Sequence, residues 1–349
     1  MPRKLVTTAV AAALGLSAVT AQAAPGDTTI HGKMYVDLTH IDQSHSDTGD
    51  TDASGTGFDA KRFYFTVKHQ LDPVWSLRLT TDFNYVRNDG QTNLYVKKAY
   101  VQGHFSDAAV LRIGSAGTPW IGLSEDYYGF RYVEKVLVDR LDYGSSADWG
   151  VHMGGKLGAN RQFNYAVSVI NGAGYKHATR GKGMDVAARI GYVPIDGMII
   201  ALGGYSGTLG KETENTPAAH TAKRADLMIA YASDAFRVGA EYFRANDWNA
   251  VLSPTSDTSS GWSVWGSAAL SETISVFARY DQADLSKDID PQAQDTYYNV
   301  GMQFQVIDGF KLAAVYKHEK REGSVATPVP PHVANLTTNE FGLWGEIKF

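Results

Sequence analysis

Five basic residues recur on the polar face of successive early segments: Arg62, Lys68, Arg78, Lys98 and Arg112. A second set of charges is concentrated between positions 125 and 142, with Glu125, Asp126, Arg131, Glu134, Lys135, Asp139, Arg140 and Asp142. Neither set has the form of bond-making chemistry, because no nucleophile–base signature accompanies it. Charges arranged like this act through their field, attracting, repelling and orienting ions and dipoles. Later segments add Lys156, Arg189, Arg224, Arg237 and Arg279, largely offset by Asp148, Asp185, Asp226, Glu241 and Asp281.

Other chemistries are poorly supplied. There is no cysteine, so no disulfide framework, thiolate metal site or cysteine nucleophile can exist. The ten histidines include no i, i+4 pair; His31, His69, His104, His152 and His177 read as lining or interface residues, and no metal or cofactor is expected. The acidic run from Asp47 to Asp52 could offer oxygen ligands to calcium, but it lacks the EF-hand spacing and reads as a solvated loop. GAGYK lacks the strand–loop–helix context of a phosphate cradle.

The elements that carry these charges have a period of two. FYFTV, WSLRLTTDFNY, RQFNYAVSV, ADLMIAYA, GWSVWGSAAL and FKLAAVY each alternate an apolar with a polar face. The alternation predicts strands at 28–42, 58–71, 75–87, 92–105, 109–114, 147–157, 161–171 and 184–194. It predicts eight more at 198–209, 222–232, 235–245, 260–270, 273–284, 296–307, 310–321 and 337–349. Sixteen is an even number, as single-chain outer-membrane barrels require. Short turns such as Asp72-Pro73-Val74, Ser106-Asp107 and Asp308-Gly309 alternate with longer polar links. That asymmetry puts the long links on one side of a barrel, and a soluble sandwich has no reason to keep it. Trp75, Phe105, Tyr192, Tyr231, Phe236, Phe310 and Phe349 all lie on the apolar parity close to a short turn, where an interfacial aromatic girdle belongs.

The ends of the chain agree. Residues 1–23 have a positive start at Arg3 and Lys4, an apolar run and a small-residue Ala21-Gln22-Ala23 site, which is the form of a cleaved secretory signal. Removing Arg3 and Lys4 from 32 basic residues leaves 30 against 37 acids, a net charge of −7, so nucleic acid is not a partner. No later stretch approaches the roughly 20 apolar residues of a spanning helix. The final NEFGLWGEIKF alternates to its last residue, which makes sense if that strand pairs with TTIHGKMYVDL and closes a ring without an exposed edge. The expected fold is therefore an all-β, 16-stranded antiparallel transmembrane barrel over residues 24–349.

One link is more than a polar connection. From Ser124 onward Phe130, Val133, Leu137 and Leu141 recur at helical spacing, with Ser124 as N-cap and acids in the first turn. Residues 115–147 are expected to fold inward as a constriction; the alternative is an external lid. On the inward reading Glu125, Asp126, Glu134 and Asp139 face a basic wall of Arg62, Arg78 and Arg112, with Lys98 and Arg131 also at the pore. An outward Arg or Lys at mid-membrane costs roughly 2–4 kcal/mol, so alternation assigns the wall cations to the lumen.

Signal, alternating strands, long third loop and terminal GEIKF together resemble the Gram-negative porins, over the whole mature chain. The resemblance implies a trimeric outer-membrane channel for passive diffusion of small hydrophilic solutes and ions, in contact with membrane lipid and lipopolysaccharide. It also implies that Phe349 is read by the barrel-assembly machinery. The Pro-Glu-Phe-Gly-Gly type motif of many general porins is missing. The segment LRIGSAGTPWIGLSEDYYGFRYVEKVLVDRL is similar to the phosphate-selective branch, but the dense basic ladder of that branch is lacking. An anion- or phosphate-selective porin therefore remains an alternative; a barrel enzyme or a soluble secreted β-protein would be further ones. Outward Gly and Ala positions, as in VHMGGKLG, suggest close packing between barrels.

Overall fold

The computed structural model describes residues 24–45, 54–86, 91–324 and 335–349. The signal segment and the acidic run at 47–52 lie outside the described residues. Sixteen strands form one closed antiparallel barrel in which every strand neighbours the next in sequence and β1 pairs with β16. They are β1 (Thr28–His45), β2 (Gly55–Gln70), β3 (Trp75–Val86), β4 (Gln91–Ser106), β5 (Ala109–Gly117), β6 (Ala147–Leu157), β7 (Phe163–Ile170) and β8 (Asp185–Tyr192). The second half comprises β9 (Met198–Gly207), β10 (Ala222–Ala232), β11 (Phe236–Asn246), β12 (Thr258–Ala269), β13 (Ile274–Asp284), β14 (Gln294–Ile307), β15 (Phe310–Glu322) and β16 (Leu336–Lys348). All sixteen expected strands are present. The segment between β5 and β6 carries the two helices α1 (Ile121–Tyr128) and α2 (Leu137–Arg140).

Alternation decides which residues face out. On β10, Leu227 and Ile229 are exposed while Arg224, Asp226 and Met228 between and beside them are buried. The same holds for Val238 and Tyr242 against Glu241 and Phe243 on β11, and for Phe341 and Leu343 against Trp344 on β16. Large apolar side chains left exposed on every strand would aggregate in water; in a bilayer they are the lipid contact, and the charges go inside.

At one end the strands are joined by links of two to five residues. Asp72 caps one such turn by accepting from the amides of Val74 and Trp75 at 2.8 and 2.7 Å. Gly309 (φ 77°) closes another, where a Cβ would meet the Lys348 carbonyl. Aromatic pairs gather at this end: Trp75 with Phe105, Phe163 with Tyr192, and Tyr231 with Phe236, at centroid distances of 5.5, 5.0 and 5.1 Å. At the other end the links run from nine to 29 residues, except the four residues 87–90, which are no longer than a turn.

Closure is made by the last residues. Phe349 exchanges backbone hydrogen bonds with Gly32, N–H to O at 2.9 and 3.2 Å, and its ring lies so close over Gly32 that no Cβ would fit there. β1 and β16 then pair from Lys33↔Lys348 to His45↔Leu336.

Two β-bulges interrupt the alternation on the basic side. Opposite β1, Tyr35 pairs with Arg62 and Val36 with Ala60, leaving Lys61 as the extra residue. Opposite β3, Thr80 pairs with Lys98 and Thr81 with Val96, leaving Lys97 extra. Each bulge turns two consecutive cations to the enclosed side.

Candidate functional site

The 118–146 segment lies against the enclosed face of the barrel. Its apolar side chains dock first: Phe130 stacks on Phe277 of β13 at 4.1 Å, Tyr128 meets Trp265 of β12 at 6.2 Å, and Tyr143 meets Phe243 of β11 at 4.7 Å. Tyr132 approaches Tyr35 on β1 at 6.5 Å, so the segment reaches across toward the closing strands. The segment is not the single helix that its spacing suggested. Gly129, at φ 82°, ends α1 through its amide bond to the Glu125 carbonyl, and the chain turns before α2. Ser124 is inside α1, not at its N-cap, because its hydroxyl is used elsewhere: it donates to Glu241.

Buried ion pairs and hydrogen bonds then fix the segment. The Glu241 carboxylate accepts from Ser124 Oγ at 2.7 Å and from the Leu137 amide at 3.1 Å. Arg140 forks between Asp281 (3.1 Å), Asp295 (2.5 Å) and Glu319 (2.8 Å). Burial opposes its charge, yet Asp295, Asp281 and Glu319 hold its pKa well above the ordinary range. Arg279 spans Asp281 and the Lys135 carbonyl. Lys317 joins the Val133 carbonyl at 2.9 Å to Glu134 at 3.2 Å and to Glu340 at 3.3 Å. Burial works against the Glu134 charge too, but Lys317 and Lys61 keep its pKa well below the carboxylate range. Each charge here has its partners, the condition under which buried ions are tolerated.

The edge of the segment that faces β2–β5 is built differently. Glu125 accepts from Arg131 Nε at 2.5 Å, and Arg131 also reaches Asp139 at 3.4 Å, so both acids are spent within the segment. Asp126 is exposed. Enclosure by the surrounding protein and the neighbouring Glu125 push its pKa up to about 6, against the pull of Lys33, Lys98 and Arg237. Arg237 additionally donates to the Asp126 carbonyl at 2.8 Å.

Across from this edge stands the basic wall. Arg62 is nearly buried and bound to Asp82 at 3.0 Å; Asp82 also accepts from Tyr175 Oη at 2.7 Å. Arg62 is therefore held inside the wall. Lys61 reaches Asp37 at 3.5 Å, and Lys97 lies over the rings of Tyr64 and Tyr175 at 4.6 and 5.4 Å. Two of the others bond to neutral groups. Arg78 donates to Thr80 Oγ1 at 3.0 Å, and Arg112 donates to Gln102 Oε1 at 2.7 Å and lies over Tyr100. Lys68 is opposite Arg78 in the ladder, and Lys98 is opposite Thr80. Among the described residues no carboxylate lies within ion-pair distance of Lys68, Arg78, Lys98 or Arg112. No cluster of three metal-ligating side chains occurs among them either.

Lys61, Lys97, Lys317 and Glu241 were not singled out as pore or anchoring residues from the sequence. The doublets Lys61-Arg62 and Lys97-Lys98 carried a signal, since two adjacent charges break strict alternation inside a strand. Glu241 carried none, because its partners come from a segment more than a hundred positions away.

Comparison with known proteins agrees with this architecture. The family model described as Gram-negative porin matches residues 7–327. No curated protein sequence matches. Among solved structures, the anion-selective porin from Comamonas acidovorans superposes with a TM-score of 0.66 at 13% identity, over 93% of this chain and 100% of that one. The outer-membrane channel DcaP of Acinetobacter baumannii gives 0.64 at 13% identity, over 93% and 98%. OmpT of Vibrio cholerae in its trimer form gives 0.57 at 12% identity, over 93% and 100%. With lipid-facing strands, an enclosed polar face and a match along nearly its whole length, this chain belongs to the Gram-negative porins: it is an outer-membrane β-barrel channel, not an enzyme, through which small hydrophilic solutes and ions diffuse.

Proposed function

We propose that residues 115–147 form the constriction of this channel, and that the passage between α1 and the β2–β5 wall prefers small anions. One observation carries the preference. Among the described residues four wall cations, Lys68, Arg78, Lys98 and Arg112, are bonded to neutral partners or to none, whereas Glu125, Glu134 and Asp139 are each bound to a cation. Charge already compensated at short range adds little to the field in the passage. The uncompensated cations set its sign, and the low-dielectric wall focuses it. That the Comamonas porin is anion-selective is consistent with this reading.

The test is the reversal potential in a KCl gradient across a planar bilayer. Wild-type protein should be anion-selective, and Arg78→Gln, Lys98→Gln and Arg112→Gln combined should move it toward cations. A cation-selective wild type, or an unchanged potential in the triple variant, sinks the reading. Deleting residues 124–142 should raise single-channel conductance; an unchanged conductance would show that the segment does not narrow the path.

The remaining assignments complete the picture: residues 1–23 are removed on export, Phe349 is the assembly signal, and three barrels associate. The trimer form of OmpT supports the last point. The VHMGGKLG stretch does not, since Gly155 shares the outward parity of Met153 and Leu157 but lies against the backbone of Ala108. Conductance steps in multiples of three, and crosslinking that proceeds to trimer, are the expected results.

A further inference from the structure

The outward face of β10–β14 carries a depression. Ala240, Gly266 and Ala278, on three adjacent strands, are small, and the wall sinks there into a groove of about 860 Å³. Ile229, Val238 and Val264 flank it. Toward the long-link end Tyr242, Trp262 and Tyr280, the last also lining the groove, are exposed on the same face, with Trp262 and Tyr280 in ring contact at 5.4 Å. Above these again the face turns cationic. Lys223 on β10 and Arg244 on β11 are exposed and share the parity of Leu227 and Tyr242. The register Ala225↔Arg244 and Lys223↔Asn246 makes them diagonal neighbours across the β10–β11 pair.

Their height fixes their surroundings. Arg244 is eight residues from Phe236 in the lower girdle, roughly 26 Å along a strand at ~3.3 Å per residue. With a tilt of about 40° that is about 20 Å of height, near the upper border of an apolar band of about 25 Å. Outward cations at that level meet the headgroups of the outer leaflet, and two side by side, with no ion pair to a carboxylate among the described residues, attract an anionic headgroup. Among the described residues another outward cation toward this end, Lys320, is bound to Glu322 at 2.6 Å and offers no such charge.

We propose that this face is a binding site for a phosphorylated glycolipid of the outer leaflet: Lys223 and Arg244 take a phosphate of a lipid A-type headgroup, and an acyl chain enters the groove over Gly266. Three features select this occupant together. The cations are at the outer-leaflet end, they form a pair suited to a doubly charged group, and the polar belt beside them, with Asn246 bonded to Thr258 and Gln282 to Thr296, matches a sugar headgroup better than a glycerol one.

Full-length protein in detergent is titrated with bis-phosphorylated lipid A, dephosphorylated lipid A and phosphatidylglycerol, with bound lipid counted by native mass spectrometry. Lys223→Ser with Arg244→Ser should weaken bis-phosphorylated lipid A about 30-fold, from about a fivefold loss per cation. Lys320→Ser, at the paired position, should leave it within twofold. Gly266→Leu, which fills the groove while sparing the cations, should weaken it several-fold. Heat-modifiable gel mobility verifies that each variant is folded. Equal affinity in the double variant overturns the site, and phosphatidylglycerol binding as tightly as lipid A overturns the glycolipid. Loss of the trimer in the folded double variant identifies the face as a contact between copies and overturns it as well.

Discussion

Glu241 of β11 and Ser124 of α1 are joined by a hydrogen bond of 2.7 Å, with the hydroxyl donating to a carboxylate that is almost wholly enclosed. The second oxygen of Glu241 takes the Leu137 amide at the start of α2. One wall residue thus holds both helices of the 118–146 segment. Glu241→Ala leaves two enclosed donors without an acceptor, at about 1–3 kcal/mol each. The barrel should still assemble, while single-channel records should become noisy, with brief excursions to higher conductance. A quiet trace identical to wild type would show that the apolar contacts of Phe130 and Tyr143 alone immobilise the segment.

Arg62 and Arg78 stand on adjacent strands and should respond in opposite ways. Arg62→Gln strands the buried Asp82 without its cation, a loss of about 3–5 kcal/mol when a buried pair is broken on one side. Its thermal unfolding in detergent should begin at clearly lower temperature, with little effect on ion selectivity. Arg78→Gln removes a charge bonded only to a hydroxyl, so the reversal potential should move and the melting temperature should stay near wild type. Reversed outcomes would exchange the roles of the two arginines.

Asp126 should make the channel sensitive to mild acid. Its carboxyl, raised to about 6, is mostly neutral at pH 5 and mostly ionised at pH 7. Rising pH therefore adds one negative charge to the passage, so anion preference should weaken between pH 5 and 7. Asp126→Asn should abolish that step and keep the pH 5 selectivity throughout. A wild-type reversal potential that is flat across this range would mean that Asp126 titrates elsewhere or does not face the ion path.

Phe349 and Gly32 form one contact, so either partner can test it. Gly32→Val forces the terminal ring off the wall, and Phe349→Ala removes the ring and leaves the strand pairing. Both should lower the fraction of heat-modifiable barrel recovered from outer membranes. If Phe349 is also an assembly signal, its replacement should be the worse of the two in cells, and the two should be similar when refolded in detergent.

The strands were legible because lipid and lumen impose opposite solvents on alternate residues, so that every strand carries its own record of orientation. Leu227 and Ile229 against Asp226 and Met228 are sufficient to place β10. The segment between β5 and β6 was legible in its composition and its place in the chain, not in its conformation. Its helical spacing ran on through Gly129, whose left-handed backbone stops α1, and Ser124 found an acceptor on β11 instead of capping a helix. Which charges are free was likewise out of reach. Arg62, Arg78 and Arg112 are the same residue at similar places in their strands, and only the position of Asp82 and Tyr175 separates the first from the others.

The bulges at Lys61 and Lys97 bear on how such a wall can change. In a strictly alternating strand, a new lumenal charge takes the place of an existing lumenal side chain, one position in every two. An inserted residue at a bulge escapes that rule: it adds a cation beside Arg62 or Lys98 while the lipid-facing residues on either side, Ala60 and Val96 among them, keep their places. Single-residue insertion and deletion at these two points, more than substitution, is thus the step by which this lineage can raise or lower the number of cations along the channel with its membrane surface intact.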